Sequence, residues 1–284
     1  MRFLIFISCV LFLNMLAPVV EATPKIVVSE LDKVILQQKL GKFSKEKNLG
    51  VGELMLKLGL DFKGTPYVAK TLDIGNEECL VVNLRQFDCT TFVESCLAIA
   101  LTIKSKQPSF GTFATILEKI RYRNGHLDEY ISRLHYFSEW IADNEAKGCV
   151  TDVTLKLGGL TYPLSLNFMG THSNLYPQLK HNPALVNKIK VIEKKVSGKQ
   201  FYYLPKDAVA DHAKEMADGD IIALTTKIAG LDVTHLGLVC KKGNEVFLLN
   251  ASSLGRKVEI TSVPLASYLE NSKNTTGVFI VRAN

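Results

Sequence analysis

Three residue types in the chain together suit thiol-dependent acyl transfer: a cysteine at a helix start (Cys89), a histidine on a strand (His235) and an amide on the next strand (Asn250). In such a set the imidazole takes and later returns the thiol proton, and the amide oxygen holds the imidazole in one tautomer. The stretch Asp88-Cys89-Thr90-Thr91-Phe92-Val93-Glu94 opens a run that continues through Cys96, Leu97, Ile99, Ala100, Leu101 and Ile103. Apolar on most sides, that run predicts a helix buried in the core and not an amphipathic surface helix. Asp88 and Thr91 are both N-cap candidates, and Thr91 with Glu94 has capping-box spacing. A thiol in the first turn meets the positive end of the helix dipole and unpaired backbone N–H groups, which predicts a depressed pKa. Taken alone, Cys89 reads equally well as one more small buried apolar residue.

The histidine and the asparagine gain weight from the elements that would position them. The C-terminal part reads as strands at 220–224, 232–240, 245–251, 257–260 and 277–282, joined by short polar turns, which predicts an antiparallel sheet. Lys241-Lys242-Gly243-Asn244 is a compact turn, and a tight hairpin centred between Lys242 and Gly243 sets His235 directly opposite Asn250 on one sheet face. A slip of one residue would part them. Upstream, Ser29-Glu30-Leu31-Asp32 is a capping-box pattern opening a helix, and a short helix spans 53–58. Gly64-Thr65-Pro66-Tyr67 is a turn that delivers a tyrosine ahead of the nucleophile. Residues 79–84 form a short apolar run, either a strand or an extended approach to the nucleophile helix. Residues 109–122 read as a helix with Phe113, Ile116, Leu117 and Ile120 on one face, and Asn182-Pro183 caps another with Leu185, Ile189, Ile192 and Val196 inward. The region from 121 to about 203 reads as a mostly helical elaboration holding Ser132-Arg133-Leu134-His135-Tyr136; His135 by itself is more often a structural histidine.

With 284 residues, 47% of them hydrophobic, the chain can bury a substantial core. Residues 1–22 stand apart: Arg2 precedes an apolar run from Phe3 to Val20, and a small-residue site ends at Ala22. This is the layout of a secretory signal peptide, with an uncleaved anchor as the alternative, and predicts an exported protein, periplasmic or secreted, whose residues 23–284 form a single domain. The net charge of +6 survives loss of the signal, which removes Arg2 and Glu21 together. That charge is dispersed and lacks interleaved aromatic residues, so no nucleic-acid platform is expected; it suits an anionic envelope or a carboxylate-rich substrate. No segment after the signal is long and apolar enough to span a membrane, and a monomer is expected. Beyond Cys9, the cysteines are Cys79, Cys89, Cys96, Cys149 and Cys240, an odd and irregular set. In an oxidising compartment that leaves at least one free thiol, for which Cys89 is the candidate, while Cys79 with Cys149 could pair. With no C-x-x-C and no H-E-x-x-H, neither a metal nor a cofactor is expected.

Gly64-Thr65-Pro66-Tyr67, Asp88-Cys89-Thr90-Thr91-Phe92-Val93, Ser132-Arg133-Leu134-His135-Tyr136, Asp218-Gly219-Asp220-Ile221-Ile222 and Thr234-His235-Leu236-Gly237 together resemble the N-acetylmuramoyl-L-alanine amidase-like family of the NlpC-type papain-like superfamily. The second and third blocks together are specific, and the resemblance covers nearly the whole mature chain. It implies an α+β fold, a papain-like core whose nucleophile helix packs on an antiparallel sheet, with a family-specific insertion at about 121–203. It also implies a cysteine hydrolase that needs no cofactor. The bond cut is the amide between N-acetylmuramic acid, the anhydro form included, and the L-alanine of muropeptides or peptidoglycan fragments. Cys89, His235 and Asn250 are then catalytic, and Tyr67, Asp88, Thr90, Arg133, His135 and Tyr136 contact substrate, with Arg133 suited to a stem carboxylate. The family's pattern often has histidine where this chain has Asn250, an exchange expected to change the rate more than the reaction. Two alternatives stand: an endopeptidase of the same mechanism cutting within the stem peptide, and a non-catalytic muropeptide-binding protein on a decayed enzyme fold.

Overall fold

A computed structural model describes residues 25–75 and 77–284; the signal-peptide reading of residues 1–22 lies outside the described residues. The chain opens with β1 (Ile26–Val28), α1 (Glu30–Lys42), α2 (Val51–Asp61) and β2 (Leu80–Val82), followed by α3 (Cys89–Lys104), α4 (Phe110–Arg121) and α5 (Phe137–Ala146). Next come β3 (Val150–Asp152), β4 (Leu160–Tyr162), α6 (Phe168–Thr171), α7 (Pro183–Ser197), β5 (Phe201–Pro205) and α8 (Val209–His212). The C-terminal part is β6 (Ile221–Thr226), β7 (Val233–Lys242), β8 (Glu245–Ser252), β9 (Lys257–Ile260), α9 (Leu265–Glu270) and β10 (Thr275–Ala283). This is an α+β fold in which an antiparallel sheet runs in the order β4-β5-β10-β6-β7-β8-β9, with β3 also beside β10. β1 and β2 form a separate parallel pair. The region 121–203 therefore contributes three short strands to the main sheet besides its helices.

The helix starts follow from local chemistry. Ser29 and Asp32 close a capping box at α1. At α3 the box runs from Asp88 to Thr91, not from Thr91 to Glu94: Asp88 Oδ1 accepts from the Thr91 N–H at 2.8 Å and Thr91 Oγ1 accepts from the Asp88 N–H at 3.0 Å. Asn182 caps α7 by accepting from the Leu185 N–H, with Pro183 in the first turn. Helix α5 borrows its cap from a distant strand approach, since the buried Asp232 carboxylate accepts from the Ser138 N–H at 2.7 Å.

Helix α3 is the centre of the core. Phe92, Val93, Cys96, Leu97, Ala98, Ile99 and Ala100 are all fully buried, with α2 and α4 on its flanks and β7 and β8 beneath. Gly59 permits that closeness, because a Cβ there would meet Leu249, Phe92 and Leu238 at 2.8–3.3 Å. Glu94 of α3 pairs with Arg121 at 2.7 Å, and Arg121 also donates to the Val81 carbonyl oxygen. This buried network ties α3 to α4 and β2. The Asp218-Gly219-Asp220 block is likewise architectural. Gly219 has φ +79°, and any side chain there would collide with the Gly52 carbonyl of α2. Asp220 takes both the Nε and Nη2 of Arg282.

The sheet does not end at β9. Gly64 donates to the Val258 carbonyl, Val258 to that of Thr65 and Tyr67 to that of Arg256, so residues 64–67 extend it by one strand's width. Phe87 then donates to the Pro66 carbonyl and Val68 to that of Phe87, which brings the chain alongside 64–67 just before Cys89. Helix α3, which begins at Cys89, is thus hung from the extended edge of the same sheet that carries His235.

Removing one member of the Glu94–Arg121 pair, by Glu94→Gln or Arg121→Met, is expected to cost about 3–5 kcal/mol in denaturant unfolding, because the other charge stays buried and unpaired. Losses below about 1 kcal/mol would show that the pair does not hold α3 in place.

Candidate active site

Cys89 occupies the first position of α3 and is partly exposed, whereas Cys79, Cys96, Cys149 and Cys240 are buried; all five are free thiols. The pairing of Cys79 with Cys149 that the sequence left open is not made. From β7, the Leu236 N–H reaches the Cys89 sulfur, as do the hydroxyl and N–H of Thr90. These donors favour the thiolate, but burial opposes them, with the Asp88 carboxylate adding to it, and pushes the thiol up to about 11. The depressed pKa expected from the helix start is therefore not found. Burial of the sulfur and the acidic N-cap outweigh the helix-end field.

His235, on β7, donates through Nε2 to Asn250 Oδ1 at 2.9 Å. The orientation of that amide is fixed on its other side, where Nδ2 donates to the Leu248 and Glu259 carbonyls at 3.2 and 3.3 Å. With Nδ2 so occupied, Oδ1 must face the imidazole, Nε2 must carry the proton, and Nδ1 keeps its lone pair. The hairpin register differs from the expected one by two residues. Lys242 pairs with Glu245 across a turn of Gly243 and Asn244, Gly243 at φ +62°, and the ladder runs only as far as Leu238 opposite Leu249. A two-residue shift preserves the side-chain face, so His235 and Asn250 meet as diagonal neighbours beyond the end of the ladder. Burial holds His235 below the ordinary imidazole value, against the Asn250 hydrogen bond. The resting pair at neutral pH is thus a thiol and a neutral imidazole.

Tyr67, half-buried on the sheet extension, faces the same site: burial raises its hydroxyl, and the Cys89 and Asp88 charges act in the same direction. Tyr268 on α9, which the sequence gave no reason to select, is raised by burial, by Glu259 and by Cys89. Glu259 pairs directly with Asn250 across β8 and β9. The period-2 pattern of β9 contains that placement, but only once the register is known.

The structure gives the Arg133 block other tasks. Arg133 is clamped by Glu78 at 2.8–2.9 Å and by Asp73 at 3.1 Å, and it lies over the Tyr130 ring. His135 Nε2 bonds the Tyr130 carbonyl at 2.9 Å, and burial, followed by the Arg133 charge, lowers its pKa to about 3. Tyr136 is 2% exposed; its hydroxyl donates to Glu193 at 2.7 Å and accepts from the Met169 N–H at 2.9 Å. These three hold the insertion together. Glu78 and Asp73 for Arg133 and Glu193 for Tyr136 lie far off in sequence, whereas His135 is held by Tyr130 close by in the chain. A cavity of about 650 Å³ beside this network is lined by Glu77, Glu78, Asp128, Glu129 and Tyr130 among others, and its lining includes neither Cys89 nor His235. Of the residues selected from sequence, Tyr67, Asp88, Cys89, Thr90, His235 and Asn250 gather at one place; the Asp88 carboxylate there is spent on the α3 cap.

Residues 57–278 match the family model described as N-acetylmuramoyl-L-alanine amidase-like. Among solved structures, a protein of Bacteroides uniformis described as an N-acetylmuramoyl-L-alanine amidase is 42% identical, with a TM-score of 0.79 over 82% of this chain and 99% of that one. A protein of Bacteroides fragilis described as a candidate xylanase is also 42% identical, with a TM-score of 0.77 over 80% and 99%. A Legionella pneumophila protein shares the fold at 21% identity, with a TM-score of 0.68 over 89% and 95%. No curated protein matches the chain.

With the thiol at about 11, iodoacetamide labelling of Cys89 is expected to accelerate about tenfold per pH unit between about pH 7 and 10, as the thiolate fraction rises. A rate already level by about pH 8 would mean a depressed thiol and a preformed ion pair.

Proposed function

We propose, from the premise that the chain belongs to the N-acetylmuramoyl-L-alanine amidase-like family, that it is an exported thiol amidase. Its substrate on this reading is the bond between N-acetylmuramic acid, the anhydro form included, and the L-alanine of muropeptides. The observation that carries the reading is the 2.9 Å bond from His235 Nε2 to Asn250 Oδ1, next to the strand residue whose N–H reaches Cys89. A helix-start cysteine set against a sheet that supplies first a histidine and then an amide is also why we read the core as papain-like, of the NlpC type.

Each step follows from the protonation states. Because thiol and imidazole both rest neutral, His235 Nδ1 takes the Cys89 proton as sulfur attacks the carbonyl carbon of the muramyl acyl group. The Cys89 N–H, in the first turn of α3 and without an intrahelical acceptor, donates to the oxygen on which negative charge develops. The imidazolium then passes its proton to the nitrogen of L-alanine as the C–N bond breaks, leaving a muramyl thioester and a free peptide. Water, deprotonated by the same Nδ1, hydrolyses the thioester. Asn250 keeps the imidazole in the tautomer that can perform each transfer and turns it by no more than its hydrogen bond allows. Tyr67 and Thr90 line the nucleophile end of the cleft.

Disaccharide-tripeptide muropeptides, reducing and anhydro, incubated with residues 23–284 are expected to yield free disaccharide and an intact peptide beginning with L-alanine, identified by mass spectrometry. His235→Ala should slow this by at least about 100-fold and Cys89→Ala should abolish it. Peptides cut internally would make the protein an endopeptidase, and binding without turnover would make it a muropeptide receptor.

A further inference from the structure

A second feature adjoins the nucleophile segment. A groove of about 410 Å³ lies between the parallel β1–β2 pair and residues 68–74, and its lining includes Ser29, Asp32, Lys70, Thr71, Arg85 and Gln86. Gln86 leads directly into Phe87-Asp88-Cys89, and Val68, which follows Tyr67, donates to the Phe87 carbonyl at 2.9 Å. The groove and the Cys89 site therefore share one stretch of backbone.

Its charges are arranged and not incidental. Asp32 is 1% exposed and fully engaged: Oδ1 accepts from the Leu84 N–H at 2.8 Å and from Arg85 Nε at 3.1 Å, and Oδ2 accepts from the N–H and hydroxyl of Ser29. Those hydrogen bonds hold Asp32 ionised against its burial. The pairing fixes Arg85 through Nε and leaves the two terminal nitrogens of its guanidinium, a fork that matches a carboxylate, on a side chain 43% exposed. Lys70 adds a second positive charge, so with Asp32 neutralising one the groove is left with a surplus of one. Lys70 sits at φ +62°, a conformation that side-chain-bearing residues seldom adopt and that a chain maintains where the placement matters. Thr71 is 8% exposed, and its buried hydroxyl has no hydrogen-bond partner among the described residues.

Arg133, the residue that sequence reasoning selected for a stem carboxylate, is already saturated by Glu78 and Asp73. We propose that the groove holding Arg85, Lys70 and Thr71 is the subsite for a carboxylate of the peptide stem on the leaving-group side of the bond cut at Cys89. The assignment rests on the amidase reading for the identity of its ligand. The guanidinium fork takes the two carboxylate oxygens, and Lys70 supplies the remaining charge. A stem whose carboxylate has been converted to a primary amide keeps its shape but loses the charge, and one of its two heavy atoms becomes a donor facing donors.

The test is equilibrium binding, by calorimetry, to the Cys89→Ala protein. Three tripeptide-bearing muropeptides serve as probes: one with free carboxylates, one amidated at the second stem residue and one amidated at the terminal carboxylate. One of the two amidations is expected to weaken binding roughly tenfold to a hundredfold, and that penalty should shrink to about twofold or less once Arg85→Gln is added. A penalty that Arg85→Gln leaves intact, no penalty from either amidation, or no binding of any probe would overturn the subsite. Wild-type turnover of the same probes is read separately. An Arg85-dependent penalty without amide cleavage would remove the amidase reading and leave the subsite, and cleavage with an Arg85-independent penalty would do the reverse.

Discussion

One side-chain amide constrains the chemistry of the whole site. Asn250 lies on β8 with both hydrogens of its amide given to strand carbonyls, those of Leu248 and Glu259, and this leaves its oxygen no direction but toward His235. An amide that could flip would offer the imidazole a donor, and the ring would take the tautomer that cannot accept a proton from sulfur. The sheet therefore does more than carry the histidine; its backbone decides where the histidine's proton sits. A histidine in place of Asn250 would have to find its own anchoring in those same carbonyls.

The other half of the site depends on that sheet continuing past its last strand. Residues 64–67 add to β9, Phe87 adds to residues 64–67, and Cys89 begins α3 immediately afterwards. Across the cleft, the β7–β8 ladder stops at Leu238 and Leu249, short of His235 and Leu236. Cys89 and His235 are thus joined through one hydrogen-bonded run of backbone, and the buried Glu94–Arg121 pair ties α3 to α4. The cost of this enclosure is a thiol raised by burial, so in the proposed mechanism the proton leaves sulfur during attack instead of before it.

Much of this was legible in the residues, and what was not has physical reasons. The limits of α3, α4 and α7 and of strands β6 to β10 follow from apolar periodicity and from caps at Asp88, Ser109 and Asn182, which are local signals. The candidate cysteine, histidine and asparagine stood out because their chemistry is recognisable by type. The hairpin register did not, since placing the turn at Gly243-Asn244 and not one residue earlier depends on the left-handed conformation of Gly243. Nor did strands β3 and β4, which are three residues long and too short to show alternation. For Arg133, His135 and Tyr136 the sequence did not show what engages them within the protein. Clustered polar and aromatic residues look the same whether they await a ligand or bind distant parts of their own chain, and Glu78, Asp73 and Glu193 are found beside them only by folding. The same limit concealed the pairing of Arg85 with Asp32, which lies far from it in sequence.

The account stands or falls on a covalent bond between Cys89 and the sugar half of the substrate. Rapid quenching of the enzyme with a muropeptide, followed by intact-mass measurement and peptide mapping, should show Cys89 carrying the disaccharide through its acyl group, with the stem peptide already lost. An adduct that carries peptide and no sugar, or undiminished turnover with Cys89 never modified, would contradict it.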